Sequence, residues 1–367
     1  MKQFHLLPLL LFSLSLPVSA QAPPRPAPVL SPEIAANHDV TFRIKAPAAK
    51  KVSAKVQGLE APLPLVKNDD GIWSATTLTV ASGIWEYSFE VDGVTMLDPG
   101  NTALKPMREP RTSILHIAST PPAVWDFQDV PHGTVHQHSY QSKVLGGPRE
   151  IWVYTPPGYE MENAAKYHLL VLQHGSSDNQ QTWVAHGKAH WILDNLIAAK
   201  KARPMIVMML DGHPYGLAAA GKGEKRLEAM DAFRRELFED ALPLVESCYP
   251  VEKDAAQRGI VGLSMGGGQS LTVGLGHPDR FAWVGSFSGA TRAELDLPTD
   301  LNAKLRLLRI ACGKEDFLLK RNEEFITKLK AGCIEHEWHL TDGGHTWPVW
   351  RQYLADFLPL LFQPEKN

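Results

Sequence analysis

Residues 258–268 read RGIVGLSMGGG: a short apolar run, then Gly262-Leu263-Ser264-Met265-Gly266, then two further glycines. An apolar run, a G-x-S-x-G pattern and a glycine-rich helix start together describe a strand that turns sharply into a helix. At so tight a bend the serine is forced into a strained conformation and flanking side chains collide. Glycine on both sides removes the collision and leaves the Ser264 hydroxyl bared at the edge of a sheet. The helix start also aims backbone N–H groups and a positive dipole end at that hydroxyl. A serine hydroxyl is a weak nucleophile at neutral pH, so this reading requires a base elsewhere in the chain.

Working outward, an acid and then a histidine should follow the serine. GKED at 313–316 ends the apolar run 305–312, and TDGGH at 341–345 follows a strand expected over 335–340. We expect Ser264 as nucleophile, His345 as general acid–base and Asp316 as the group that holds the imidazole tautomer. Glu315 and Asp342 are the alternatives to Asp316. His336 and His339 are read as structural. Upstream, QHGSS at 173–177 ends the apolar run 169–172, where a second oxyanion donor belongs. The expected donors are the backbone N–H groups of Met265 and Ser176, with Gly175 as the alternative to Ser176. Ser176 and Ser288 are rival nucleophiles on paper, but neither lies in an elbow. Trp183, Tyr215 and Trp347 are placed on loops near the site, for stacking on substrate or for core and lid packing.

Short apolar runs at 169–173, 206–210, 259–261, 283–287 and 305–311 alternate with helical stretches at 189–201, 226–246, 267–275 and 322–331. A last helix is expected within 347–362. This alternation predicts an α/β domain over 133–367, with a mostly parallel sheet covered on both faces. Residues 31–118 follow a different grammar: Val40-Phe42-Ile44, Val52-Ala54-Val56 and Trp85-Tyr87-Phe89-Val91 alternate at spacing two, separated by turn residues. They predict an all-β, immunoglobulin-like sandwich. Residues 119–132, with three prolines, form the linker. Residues 21–30 are a Pro-rich leader, and 1–20 read as a signal peptide cut after Ala20, which implies a secreted or periplasmic protein.

The chain has 367 residues, 44% of them apolar and 21% charged, as expected for a globular protein with a sizeable core. A net charge of −3 and a pI near 6.6 give no reason to expect nucleic acid, and past the leader no run is long enough to span a membrane. Three cysteines permit at most one bridge, and Cys312, in an apolar run, is read as a buried hydrophobe. No phosphate-binding loop occurs. His132, His136 and His138 match no zinc pattern and are read as surface or packing residues, so neither a metal nor a cofactor is expected.

These motifs carry a resemblance. VYTPPGYE (153–160), LQHGSSDNQQTW (172–183), ILDNLIA (192–198), GLSMGGGQS (262–270), GKEDF (313–317) and GGHTWPVWRQYL (343–354) make the catalytic half similar to the esterase D-like α/β-hydrolases. More closely, it resembles carbohydrate esterase family 1, which includes feruloyl and acetylxylan esterases. FRIKAP (42–47), GIWS (71–74), WEYSFEVDG (85–93) and LDPGN (97–101) resemble carbohydrate-binding module family 48. The resemblance implies hydrolysis of an ester on a plant cell-wall polysaccharide or oligosaccharide, feruloyl or else acetyl, through an acyl-enzyme on Ser264. It implies that the N-terminal module either binds glycan or walls the active site. Ser176-Ser177 departs from the glycine-rich segment common in such relatives. The rival readings are an enterochelin-type siderophore esterase, a mycolyl-type acyltransferase and a non-catalytic glycan-binding protein; the intact Ser264, Asp316 and His345 set argues against the last.

Overall fold

The computed structural model describes residues 28–78, 80–162, 166–216, 224–290 and 295–364, so the expected signal peptide and most of the leader lie outside the described residues. Spacing-two alternation in the N-terminal third becomes two antiparallel sheets. One orders Glu33–Ile34, Val40–Lys45, Ile72–Thr77 and Val66–Lys67; the other pairs Val52–Val56 and Ser113–Ile117 with Gly83–Val91. Along Val40–Lys45 the side chains of Val40, Phe42 and Ile44 turn inward, as a pleat dictates, and meet Val52, Ala54, Tyr87 and Phe89 in one core. The aromatics of this unit are used in packing. Among its described residues no aromatic side chain is exposed.

The rest of the chain builds one eight-stranded sheet. Its order is Thr134–Gln141, Pro148–Thr155, Met205–Leu210, His168–Gln173, Arg258–Leu263, Trp283–Phe287, Leu307–Gly313 and Glu337–Thr341. The last six strands are parallel and the first two antiparallel. Central strands covered on both faces need no polar alternation. Accordingly every residue of Met205–Leu210 and of Arg258–Leu263 is buried, Arg258 against Glu246 at 2.6 Å.

Helices Ala189–Ala198 and Trp347–Phe357 bury Ile192, Leu193, Tyr353 and Leu354 on one face of this sheet. Leu271, Phe233 and Phe325, from three other helices, close the opposite face. The helix expected over 226–246 is real but interrupted. Glu224–Glu236 passes through a π-turn at Leu237–Ala241 into Leu242–Cys248. Pro243 lacks the N–H that an unbroken helix would need there, and the turn upstream of it widens. All three cysteines are free.

Candidate active site

The parallel arrangement puts the C-terminal ends of six strands on one side, where loops collect functional groups. Ser264 follows Leu263 there with φ 51° and ψ −112°, a strained conformation for a side chain with a Cβ. Its N–H donates to Phe287 O at 2.8 Å, and its carbonyl accepts from Ala290 N–H at 2.8 Å. The flanking glycines are a steric necessity. A Cβ on Gly262 would stand 2.6 Å from the Gly266 backbone, and one on Gly266 would strike the carbonyl oxygen of His174.

Two neighbouring loops complete a chain of hydrogen bonds. Nε2 of His345 lies 2.9 Å from Ser264 Oγ, while its Nδ1 lies 2.9 and 3.0 Å from the two carboxylate oxygens of Asp316. A Cβ on Gly313 would collide with Gly343 O, so the Asp316 and His345 loops touch backbone to backbone. Lys314 N–H also donates to Thr341 O at 2.8 Å. Asp316 is 4% exposed. Burial pushes its carboxyl up, but hydrogen bonds from His345, Ser288 and the Leu318 N–H overcome this and hold it below the usual carboxylate range. Glu315 is exposed, and Asp342 pairs with Lys314 at 2.7 Å in solvent, so neither takes this place. Ser288 is fully buried and its Oγ accepts from Trp350 Nε1. Burial pushes the Cys312 thiol up to about 12, with the Asp316 charge adding to it.

Met265 opens its helix, so its N–H has no acceptor within that helix. Ser176 is exposed, and among the described residues its N–H has no acceptor. Both residues line a cavity of about 240 Å³ with Ser264, and Gly175 approaches closely enough that its Cβ would lie 3.6 Å from that of Ser264.

Tyr215, half-exposed, and Phe317, 76% exposed and 4.4 Å from the His345 ring, form apolar walls of the same cavity. Gln269 and His213 are buried in its lining, and Gln269 Oε1 and His213 Nε2 have no hydrogen-bond partner among the described residues. Burial, helped by nearby His174 and Arg108, pushes the His213 imidazole down to about 4, so it is neutral at pH 7.

Trp183 and Trp347 require a correction, because neither sits on a loop or reaches the cavity. Trp183 lies in Thr182–Ala185 and Trp347 opens Trp347–Phe357; they are 1% and 2% exposed and meet edge to face at 4.9 Å. Trp183 Nε1 donates to Gln173 O, so the pair packs behind the 173–178 loop. Phe317, Gln269 and His213 were missed; the one signal for Phe317 was a large apolar residue directly after Asp316 in a polar loop. His132, His136 and His138 each have a separate partner, namely Asp194, Thr155 and Tyr249. His336 contacts Ile334 O and His339 packs on Tyr353.

The esterase family model described as "Putative esterase" matches residues 142–361, more than half of the chain. The chain belongs to this esterase family. Among curated relatives, the chain is 30% identical over 339 residues to an endo-1,4-beta-xylanase/feruloyl esterase of Xylanibacter ruminicola, covering 88% of this chain and 44% of the relative. It is 25% identical to an iron(III) enterobactin esterase of Escherichia coli, covering 65% of this chain and 60% of that one. The chain thus spans about half the length of these relatives. A crystal structure of the enterobactin esterase of Shigella flexneri superposes with a TM-score of 0.62 at 21% identity, covering 89% of this chain and 93% of the other. That likeness shows the fold.

Proposed function

We propose that the protein is an exported serine carboxylic-ester hydrolase acting on feruloyl or related esters of plant cell-wall carbohydrate. The observation that carries this reading is Ser264 Oγ, bared at a strained elbow 2.9 Å from His345 Nε2. In the reaction, Nε2 takes the Ser264 proton as Oγ attacks the ester carbon. The developing oxyanion is received by the Met265 and Ser176 N–H groups. Collapse of this intermediate breaks the bond to the sugar oxygen, to which His345 returns the proton, and the acyl group stays on Ser264. Water then attacks the acyl-enzyme with His345 again as base, and transfer of that proton to Oγ frees the acid. Asp316 holds Nδ1–H throughout.

An aromatic acyl group suits walls formed by Tyr215 and Phe317. Gln269 and His213 stand behind these walls with Oε1 and Nε2 unpartnered but closed to the cavity surface, so a hydroxyl or methoxyl substituent on the ring meets them only where a side chain turns toward it. The 30% identity to a xylanase/feruloyl esterase supports the same choice. Export rests on the reading of residues 1–20.

A second reading, an enterobactin-type esterase, is favoured by the likeness that extends over 89% of the chain, N-terminal unit included. Comparing kcat/KM for methyl ferulate, methyl cinnamate, p-nitrophenyl acetate, acetylated xylan and enterobactin separates the readings. We expect ferulate to lead and cinnamate, which lacks the ring substituents, to trail it. Enterobactin in first place would overturn the choice of substrate.

A further inference from the structure

The LDPGN stretch at 97–101 has no part in the chemistry above, yet it anchors a loop that reaches the active site. Asp98 accepts from Ser31 Oγ at 2.6 Å, from Tyr87 OH at 2.7 Å and from the Gly100 N–H at 2.7 Å, while Asn101 Nδ2 donates to Ile114 O. Lys105 N–H donates to Thr112 O, closing the loop upon itself. From this base, residues 105–108 leave the N-terminal unit and lie along the 176–178 turn. Met107 forms an antiparallel bridge with Asp178, and Arg108 N–H donates to Ser177 O at 3.0 Å. Pro106 O accepts from Thr182 Oγ at 2.6 Å.

The turn that presents Ser176 needs such support. Ser177 has φ 71°, an unfavourable conformation for a residue other than glycine, and the turn is closed by one long hydrogen bond, Asp178 N–H to Gly175 O at 3.3 Å. Asp178 is 4% exposed, and its Oδ1 makes no hydrogen bond among the described residues. The cation paired with it is Lys105, at 3.6 Å, itself buried and held by Glu86 at 2.9 Å. Arg108 pairs with Asp211 and donates to His213 O at 3.4 Å, gripping the adjoining cavity wall.

We propose that residues 105–108 are a clamp from the N-terminal unit that positions the oxyanion loop, with Lys105 acting through Asp178 and Arg108 through Ser177 and Asp211. Lys105 and Arg108 are positioning residues and touch no substrate. This rests on the proposed ester hydrolysis at Ser264.

The test uses the full chain. Lys105→Met is expected to lower kcat on p-nitrophenyl acetate by roughly 10- to 100-fold, short of the 10²–10³ typical of losing a donor outright, with KM within about twofold. Affinity for an arylboronic acid, whose tetrahedral Ser264 adduct places an oxygen in the oxyanion site, should fall by the same factor, while affinity for the free product acid stays put. Lys105→Arg should restore most of kcat. Asp178→Asn, nearly isosteric, carries the same expectation if Lys105→Met does not fold. Wild-type kcat in either folded variant, or equal loss of boronate and product affinity, overturns the clamp. Ser264→Ala is assayed alongside. If it retains turnover, the reading of the site fails; if it is inactive while Lys105→Met matches wild type, the clamp alone fails.

Discussion

Asp316 keeps a negative charge where almost no water reaches it, because three hydrogen bonds serve its two oxygens. Asn in its place would fill the same space but present an amide N–H to His345 Nδ1 and reverse the tautomer. We expect Asp316→Asn to lower kcat by about 10⁴ with the fold intact, whereas Asp342→Ala, which removes only a solvent-exposed pair, should stay within a few-fold. Stopped-flow or steady-state hydrolysis of an aryl ester reads both. At this scale the sequence was legible where chemistry constrains spacing: the G-x-S-x-G pattern located Ser264, and strand-end loops located Asp316 and His345. It was not legible for Trp183 and Trp347, because a tryptophan next to a functional motif reads the same whether it lines a cleft or packs behind it. Gln269 and His213 gave no signal, since their unpartnered atoms exist only in three dimensions.

Two loops from neighbouring strands meet at Gly313 and Gly343, and the approach is closer than any side chain allows. Gly313→Ala should therefore separate the Asp316 and His345 loops. We expect turnover to fall at least tenfold and melting to drop by several degrees, measured by ester hydrolysis and calorimetry on one preparation. Substitution at Gly276, whose Cβ would meet nothing within 4 Å, serves as the comparison. Elements with apolar runs were readable: the strands Met205–Leu210 and Trp283–Phe287 lie where short hydrophobic stretches placed them. The pair Thr134–Gln141 and Pro148–Thr155 was not. Thr134–Gln141 is an edge strand with no fully buried residue, so it carries no hydrophobic alternation to detect. The π-turn was hidden too, because its cause is one missing N–H inside an otherwise continuous helical pattern.

Across the whole molecule, several histidines are folded away uncharged. Burial pushes His213 and His190 down to about 4 and holds His186 well below the usual imidazole range, with neighbouring cations acting in the same direction. Between about pH 6.5 and 4 the unfolded chain binds protons at these positions that the folded chain does not. Stability is therefore full above that window, falls as the pH drops through it, and gains no further penalty from His190 or His213 below it. Thermal melts from pH 7 to 4 should show a fall of a few kcal/mol, and His190→Gln should flatten it. A melting temperature constant over that range would refute the neutral-histidine account. The division into a β unit and an α/β unit could be read from the switch in periodicity, but how the two meet could not, because Lys105 and Asp178 are distant in sequence and the stretch LQHGSSDNQQTW that holds Asp178 carries no sign of which cation it faces.

The seam between the two units also bears on how the protein is cut and reused. A cassette trimmed to the α/β half would keep its serine, histidine and aspartate. It would lose the Lys105 ammonium that faces Asp178, so fusion designs should carry the β unit along with the α/β half.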